Sequence, residues 1–156
     1  MTEMAPRILN IVKRFQQIGE QNVQDLPIYN HKLHVEAVGF QWLNSNEWLG
    51  VLITPWFMDL FIISDKLEPW DINSIGKRVS RELPAKVYQF IQGGDEVLGS
   101  YLTCALYSPM DAFDYQELAH SAAWAALHAA LTPPEPPSAP ELDRREFLRG
   151  NFLDNK

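Results

Sequence analysis

Cysteine is nearly absent from this sequence, which has a single thiol, Cys104, in 156 residues. A lone cysteine cannot form an internal disulfide, and it excludes a zinc or redox site of the CxxC type. Basic side chains are outnumbered as well, since 13 lysines and arginines stand against 20 aspartates and glutamates, for a formal net charge of −7. This balance disfavours nucleic acid and favours basic partners. We predict no metal and no other cofactor.

Long apolar runs are missing too. The longest is Trp48–Ile63, which is interrupted by Pro55 and Asp59 and is shorter than the roughly 20 residues of a transmembrane helix. The start of the chain does not combine a basic region with an apolar run, as a secretory signal peptide does. We therefore expect a soluble, cytoplasmic protein that does not insert into membranes.

The residues that are present predict one globular domain followed by a tail. Apolar residues make up 46% of the chain, which is enough for a core that needs no disulfide. Five prolines fall within residues 132–140, a composition typical of a stiff, extended spacer. The predicted organisation is a domain over residues 1–131, a proline-rich spacer over 132–140 and a flexible tail over 141–156.

Hydrophobic periodicity predicts an α+β order of helices and strands. Helical spacing or alanine content predicts three helices, over residues 5–21, 70–83 and 114–131. The segments 47–54 and 57–64 are apolar on both faces, and only Pro55-Trp56 separates them, so they should be central antiparallel neighbours. Alternating patterns predict further strands over 33–42, 85–92 and 96–108.

Turn and cap residues complete the predicted architecture. The alternation of the first strand shifts beside Gly39, which predicts a β-bulge. Gly93-Gly94-Asp95 has the composition of a tight hairpin turn, and Asp114 with Glu117 resembles a capping box for the last helix. We expect a mainly antiparallel sheet of about five strands with the helices packed on one face.

Candidate catalytic and metal-binding residues are few. Cys104 lies mid-strand on an apolar face, where a buried, inert thiol is the more frequent role. Asp59 interrupts an apolar strand and fits the open side of a sheet better than a functional carboxylate. The histidines are spaced too awkwardly to share a metal ion, because His31 and His34 fall on opposite faces of a strand and His120 and His128 lie two helical turns apart.

The basic and glycine-rich segments also favour structural roles. The sequence QGGDE (92–96) indicates a hairpin rather than a phosphate-binding loop. The basic side chains of the predicted middle helix indicate a solvated face rather than a nucleic-acid patch; they are Lys77, Arg78 and Arg81.

Aromatic residues are unusually frequent near the predicted turns. One interpretation is that the rings cap the ends of the core, and the other is that they form an exposed surface that grips another polypeptide. The second interpretation assigns the partner-binding residues to the turns and strand ends: Trp48, Thr54, Pro55, Trp56, Trp70, Ser108, Pro109 and Met110.

Three stretches resemble the HybE/HupJ family of [NiFe]-hydrogenase assembly chaperones: EWLGVLITPWFMDLFII (47–63), YLTCALYSPM (101–110) and RREFLRG (144–150). The resemblance runs in order from about Leu33 to Gly150 and is densest at 48–63 and 98–110. It implies a non-enzymatic accessory protein of hydrogenase maturation. Its partners would be a small-subunit precursor with its twin-arginine signal peptide, and the large subunit, and it would delay export until assembly is complete.

The tail itself resembles the head of a twin-arginine signal, in which two arginines are followed by a spacer, Phe, Leu and a basic residue. The matching residues are Arg144, Arg145, Phe147, Leu148 and Arg149, and Gly150 closes the segment. One hypothesis is mimicry, in which the tail folds back onto the signal-binding surface of its own domain and yields to a genuine signal peptide. The alternatives are that Phe147 and Leu148 simply dock on the domain, or that the tail contacts the large subunit. Two other function classes stay open: a thiol-dependent enzyme using Cys104, and a carrier of metal or cofactor ligands.

Overall fold

The first helix of the chain is amphipathic. The computed structural model describes residues 4–135, and helix α1 spans Met4–Ile18, followed by one π-helical turn over Gly19–Val23. Apolar residues three and four positions apart share one face of a helix, and accordingly Ile11 and Phe15 are buried. The first predicted helix is therefore confirmed.

A single six-stranded sheet forms the centre of the protein. Its strands are β1 (Glu36–Trp42), β2 (Glu47–Ile53), β3 (Met58–Ser64), β4 (Arg78–Glu82), β5 (Val87–Asp95) and β6 (Gly99–Tyr107). The spatial order is β1-β2-β3-β6-β5-β4, and all neighbours are antiparallel. The mainly antiparallel α+β fold is confirmed, with six strands rather than about five.

The bulge predicted in the first strand is also present. The register between β1 and β2 shifts between Val38 and Gln41, and Gly39 adopts a φ of 67°. A Cβ on Gly39 would lie 2.4 Å from the Leu127 side chain. The glycine therefore permits both the left-handed backbone and the close approach of the last helix.

The predicted helix over residues 70–83 is wrong. The Asp71 carboxylate does cap a turn, because it accepts a hydrogen bond from the Asn73 N–H at 3.0 Å, but only one 3-10 turn follows, Ile72–Ser74. Ile72 is 70% exposed, so the helical stripe has no core to face. Pairing of β4 with β5 overrides the local helical pattern. The basic residues of this segment consequently lie in and beside β4: Lys77, Arg78 and Arg81.

The β5–β6 hairpin turns later than predicted. Gly93 and Gly94 are paired residues of β5, and the chain reverses over 96–98. The Asp95 carboxylate accepts hydrogen bonds from the N–H groups of Val97 (2.9 Å) and Leu98 (2.7 Å). Asp95, the last residue of the predicted Gly93-Gly94-Asp95 turn, therefore stabilises the observed turn, whereas the two glycines belong to the strand.

The two helices lie on opposite faces of the sheet, so the prediction that they share one face is wrong. Helix α2, Gln116–Leu131, packs with Leu49 and Val51 of β2, whereas α1 packs with Trp48 and Leu52. Side chains of a strand alternate between the faces of a sheet. Strands that are apolar on both faces therefore required a helix on each side, and the sequence pattern already contained that information.

The start of α2 differs from the prediction as well. The residue at its N-cap is Tyr115, and no side chain there accepts a capping hydrogen bond. The predicted capping box of Asp114 and Glu117 is therefore wrong. Asp114 lies instead 3.7 Å from the ammonium of Lys32, in an exposed ion pair.

The sheet curls around α2. Arg81 of β4 donates a hydrogen bond to Glu47 of β2 (Nη1 to Oε2, 3.1 Å), although three strands separate β2 from β4 in the sheet. At the C-terminal end of the helix, the Ala85 N–H donates to the Ala130 carbonyl at 3.1 Å. These contacts enclose one face of the sheet and leave α1 alone on the other.

Candidate functional site

Two turns that the sequence assigned to partner binding meet at one end of the sheet. Met58, at the start of β3, pairs with Tyr107, at the end of β6. Asn30 ties the two turns together, because its backbone N–H donates to the Pro55 carbonyl at 2.8 Å and its side-chain amide donates to the Met110 carbonyl at 3.0 Å. The fold thus joins two segments that lie about 50 residues apart in the sequence.

The β2–β3 turn is mostly structural. The Thr54 side chain is fully buried, and its hydroxyl accepts hydrogen bonds from the N–H groups of Trp56 (3.2 Å) and Phe57 (2.9 Å). Pro55 is buried as well. The prediction that Thr54 and Pro55 lie on an exposed surface is therefore wrong, and only Trp56 of this turn is partly accessible.

The segment after β6 likewise contains both buried and exposed residues. Met110 is 0% exposed and belongs to the core beneath α2, so its predicted place on the surface is also wrong. Ser108 and Pro109, joined by a cis peptide bond, are exposed. A partner can reach these two residues directly.

Trp48 and Trp70 do not join this end of the sheet. Trp48 is 1% exposed and pairs with Ile63. The guanidinium of Arg7 lies over the Trp48 ring, 5.5 Å from the ring centroid. Trp70 lies beside Gly94, near the β5–β6 turn. The predicted single aromatic surface is therefore wrong, because the fold buries Trp48 and separates Trp70 from Trp56.

Trp56 forms one wall of a small cavity that we call the aromatic pocket. Its ring stacks on Tyr29, with centroids 6.0 Å apart and planes 20° apart. A Cβ on Gly19 would lie 2.9 Å from the Trp56 ring, so the glycine after α1 allows this close approach. The cavity measures about 280 Å³, and its lining residues are Phe15, Gln16, Gly19, Glu20, Tyr29, Leu33, His34, Val35 and Trp56.

A larger cavity, which we call the apolar groove, runs between α1 and the edge strand β1. It measures about 650 Å³ and is lined by Met4, Ala5, Ile8, Leu9, Val12, Val35, Glu36 and Ala37. The groove was not predicted from the sequence, because Ile8 and Val12 share the helical stripe of Ile11 and Phe15, a pattern that is typical of core residues. The signal was the breadth of that stripe, since Leu9, 52% exposed, extends it beyond what one sheet face can cover.

The groove and the pocket share Val35, and we call the two together the α1 channel. The channel is apolar along most of α1 and becomes aromatic and polar beside Glu20. The carboxylate of Glu36 is already engaged, because Oε2 lies 2.8 Å from His120 Nδ1 and Oε1 accepts from the Gln116 amide at 2.8 Å. Glu20 is therefore the carboxylate of the channel that is most available to a cation.

Asp59 is partly buried on the α1 side of the sheet, between Leu52 and Ala105. Burial raises the pKa of this carboxyl to about 7. Asp59 is thus less exposed to solvent than its predicted position on the open side of the sheet implies. The neighbouring Tyr101 ring, stacked on Phe61 at 4.7 Å, shows the same effect, since burial raises its pKa to about 12.

The thiol and the histidines do not form a reactive group. Burial raises the pKa of Cys104, which is the opposite of what a nucleophilic thiolate requires. The His31 ring lies against Tyr29, with centroids 4.7 Å apart, while His120 faces Glu36. Within residues 4–135, no three metal-binding side chains cluster in a way that could hold an ion.

The helices described for the protein are also too short or too polar for a membrane. Within residues 4–135, no helix is both long and apolar enough to cross a bilayer. The tail residues on which the mimicry hypothesis depends lie outside the described residues: Arg144, Arg145, Phe147, Leu148 and Gly150.

Most of the chain has recognisable relatives. A family model described as "[NiFe]-hydrogenase assembly, chaperone, HybE" matches residues 7–150. The hydrogenase expression/formation protein HupJ of Bradyrhizobium diazoefficiens is 32% identical over 150 residues, which cover 91% of this chain and 86% of that protein. The hydrogenase-2 operon protein HybE of Escherichia coli K12 is 27% identical over 140 residues, covering 87% and 84%.

A protein of Rhodobacter capsulatus named probable rubredoxin HupJ is 36% identical over 106 residues, which span 68% of this chain but only 38% of that protein. The solution structure of HybE from Escherichia coli superimposes with a TM-score of 0.63, over 85% of this chain and 84% of that one. At 23% identity, this likeness supports the fold. The match of the family model over nearly the full length, together with the HupJ relative, shows that the chain belongs to the HybE family of [NiFe]-hydrogenase assembly chaperones.

Proposed function

We propose that this chaperone binds the precursor of a [NiFe]-hydrogenase small subunit by its twin-arginine signal peptide, which lies in the α1 channel. Binding shields the signal and delays export until the enzyme is assembled, so the chaperone acts in the cytoplasm. The large subunit is a second client. The observation that supports this proposal best is a long apolar groove that continues into an aromatic, acidic pocket.

The apolar groove fits the apolar part of a signal peptide. Such a segment has about 7–15 apolar residues, and ligand sites of roughly 300–1,000 Å³ are typical of specific recognition. The groove measures about 650 Å³. Leu9, which lines it, is 52% exposed. Covering Leu9 and its neighbours with a client's apolar side chains removes apolar surface from water on both partners.

The aromatic pocket fits the arginines that precede the apolar segment. An arginine can stack on the Trp56–Tyr29 pair, and a cation over an aromatic face gains about 0.5–2 kcal/mol. Glu20 supplies a carboxylate beside the rings. The net charge of −7 also increases the rate at which a basic segment encounters the protein.

A non-enzymatic role agrees with membership of a chaperone family. Neither alternative function receives support from the described residues. A thiol enzyme using Cys104 would need a lowered rather than a raised thiol pKa. A metal carrier would need converging ligands, which residues 4–135 do not provide.

Replacing Leu9 by glutamate tests the proposed site. The substitution puts a charge into the apolar groove, and we expect the affinity for a fluorescently labelled small-subunit signal peptide to fall about tenfold or more. The matched control is Ile72→Glu, which adds the same charge at an isoleucine that is 70% exposed and lies outside the channel. Fluorescence anisotropy measures both dissociation constants.

Equal losses of affinity in the two variants would mean that added negative charge, rather than the groove, is responsible. Undiminished binding by Leu9→Glu would refute the groove as the binding site. A second readout is ionic strength, because attraction between arginines and Glu20 predicts weaker binding as salt rises. Co-purification of the full-length protein with a small-subunit precursor, with and without its signal peptide, identifies the client directly.

A further inference from the structure

We propose that residues 144–150 of this chain occupy the α1 channel when no client is present, so that the tail and the signal peptide compete for one site. This inference rests on the proposed function, because it assigns a regulator to the same channel. It follows from the reach of the chain, from the chemistry at the two ends of the channel and from the length of the apolar groove.

The tail can reach the channel from the end of α2. His120 of that helix contacts Glu36 of the groove at 2.8 Å, and Leu131 ends the helix eleven positions later, a rise of about 16 Å at 1.5 Å per residue. Residues 132–143 precede the arginines, and these twelve positions span about 35 Å if they are extended. Residues 132–143 can therefore span about twice the distance from Leu131 back to His120, which is the distance they must cover to bring the arginines to the channel.

The order of residues in the tail matches the order of surfaces in the channel. Arg144 and Arg145 are followed by Phe147 and Leu148, and from Arg144 to Leu148 an extended chain spans about 13 Å. Along α1 and its π-helical turn, Glu20 of the aromatic pocket lies eight positions after Val12 of the groove, about 12 Å by helical rise. Arginines at the pocket thus place the two apolar side chains at the near end of the groove.

The tail fills only part of the groove. Arg149, Gly150 and Asn151 interrupt its apolar side chains, whereas the groove continues along α1 to Ile8 and Met4. A signal peptide has an uninterrupted apolar run and covers the whole length, so it binds more tightly than the tail. The tail therefore competes mainly because it is tethered, which gives it an effective concentration in the millimolar range.

The first test compares two full-length variants that differ only in which apolar pair of the tail is removed. Phe147→Ser with Leu148→Ser weakens the tail's hold on the groove, and we expect about fivefold tighter binding of the signal peptide. Phe152→Ser with Leu153→Ser removes the neighbouring pair and should leave the affinity at the wild-type value. Equal affinities in all three proteins would overturn the proposal.

The second test locates the tail without a client. A spin label on Asn151→Cys, in a Cys104→Ser background, should broaden the methyl NMR signals of Ile8 and Leu9 and leave those of Val87 and Ile91 unchanged. Broadening at Val87 and Ile91, on the opposite half of the sheet, or at no methyl group, would overturn the proposal. Added signal peptide should restore the Ile8 and Leu9 signals. If broadening persists at saturating peptide, the tail occupies the channel but does not compete with the client, so the proposed competition and the proposed client site both fail.

Discussion

The two faces of the sheet are closed to very different extents. The face beneath α2 encloses a cluster of seventeen buried residues, and the curl of the sheet brings β4 against β2 and the segment after β4 against the C-terminal end of the helix. The face beneath α1 has a cluster of eight buried residues, and α1 leaves the apolar groove open along β1. Both faces are apolar in sequence, so the difference lies in how much cover each face receives.

This difference suggests a division of labour between stability and binding. A face that is fully covered from within the chain contributes apolar burial to folding. A face that is partly covered keeps apolar surface available, and surface of that kind marks sites for other polypeptides. In this chaperone the helix α1 both completes the core, through Ile11 and Phe15, and presents Ile8, Leu9 and Val12 to the channel.

The largest expected effect comes from truncating the closed face. Leu60 is 0% exposed within the α2-side cluster, and Leu60→Ala should lower the free energy of unfolding by about 3 kcal/mol through lost burial and a residual cavity. Leu9→Ala, on the open face, should lower it by less than about 0.5 kcal/mol, because the side chain is half exposed. Urea denaturation followed by circular dichroism measures both values.

Binding should show the reverse order. Leu9→Ala is expected to weaken the signal peptide several-fold, whereas Leu60→Ala should bind normally at temperatures where it remains folded. Comparable stability losses in the two variants would contradict the division between a closed and an open face.

A smaller effect distinguishes the faces by pH. The pKa of Asp59, on the α1 side, is raised by burial from 3.8 to about 7. Because the folded state then holds the proton more tightly than the unfolded state does, the free energy of unfolding falls as pH rises between these two values and is level above them. Asp59→Asn removes this loss and should stabilise the protein by about 2 kcal/mol at pH 8, with no gain at pH 3.

Thermal unfolding of both proteins across this pH range measures the effect, with Asp111→Asn as an exposed control. The expected gain is less than complete burial would give, since the Asp59 side chain remains partly accessible to water. A constant difference between Asp59→Asn and the wild type at every pH would mean that ionisation of Asp59 is not responsible.

The sequence predicted the fold best where local pattern and tertiary environment agree. The antiparallel pair β2–β3 and its Pro55-Trp56 turn were predicted because apolar residues on both faces require a central position. The segment 70–83 was mispredicted because Ile72 and Ile75 keep helical spacing, yet both are exposed and the chain pairs as β4 instead. Local spacing cannot reveal a partner strand that follows later in the chain.

The candidate site was predicted less completely, for a related reason. Turn position correctly predicted that Trp56, Ser108 and Pro109 are accessible to solvent. It also placed Trp48 on the surface, where Arg7 and α1 in fact cover it. The apolar groove was missed because its wall comes from two elements, α1 and β1, that are separate in the sequence. A cavity between elements depends on how they pack, and a stripe on one helix shows only half of it.

The smallest expected effect on stability, at Gly19, isolates the aromatic pocket. Gly19→Ala places a Cβ 2.9 Å from the Trp56 ring, so the ring must shift away from Gly19, which disturbs its stacking on Tyr29. The better helical propensity of alanine, up to about 1 kcal/mol, offsets the crowding and leaves the free energy of unfolding nearly unchanged. The affinity for a twin-arginine peptide should nevertheless fall about threefold, because the stacked pair that receives the arginine is disturbed.

Gly76→Ala is the matched control, since Gly76 has a φ of 91° and no atom within 4 Å of an added Cβ. It should cost about 1 kcal/mol of stability through backbone strain and leave peptide binding unaltered. Gly19→Ala should therefore change binding without changing stability, and Gly76→Ala should change stability without changing binding. The indole N–H signal of Trp56 in NMR spectra should shift in Gly19→Ala alone, which reports the movement of the ring. If Gly19→Ala moves the ring but binds the peptide as tightly as the wild type, the arginines lie elsewhere and the open face binds only the apolar part of its client.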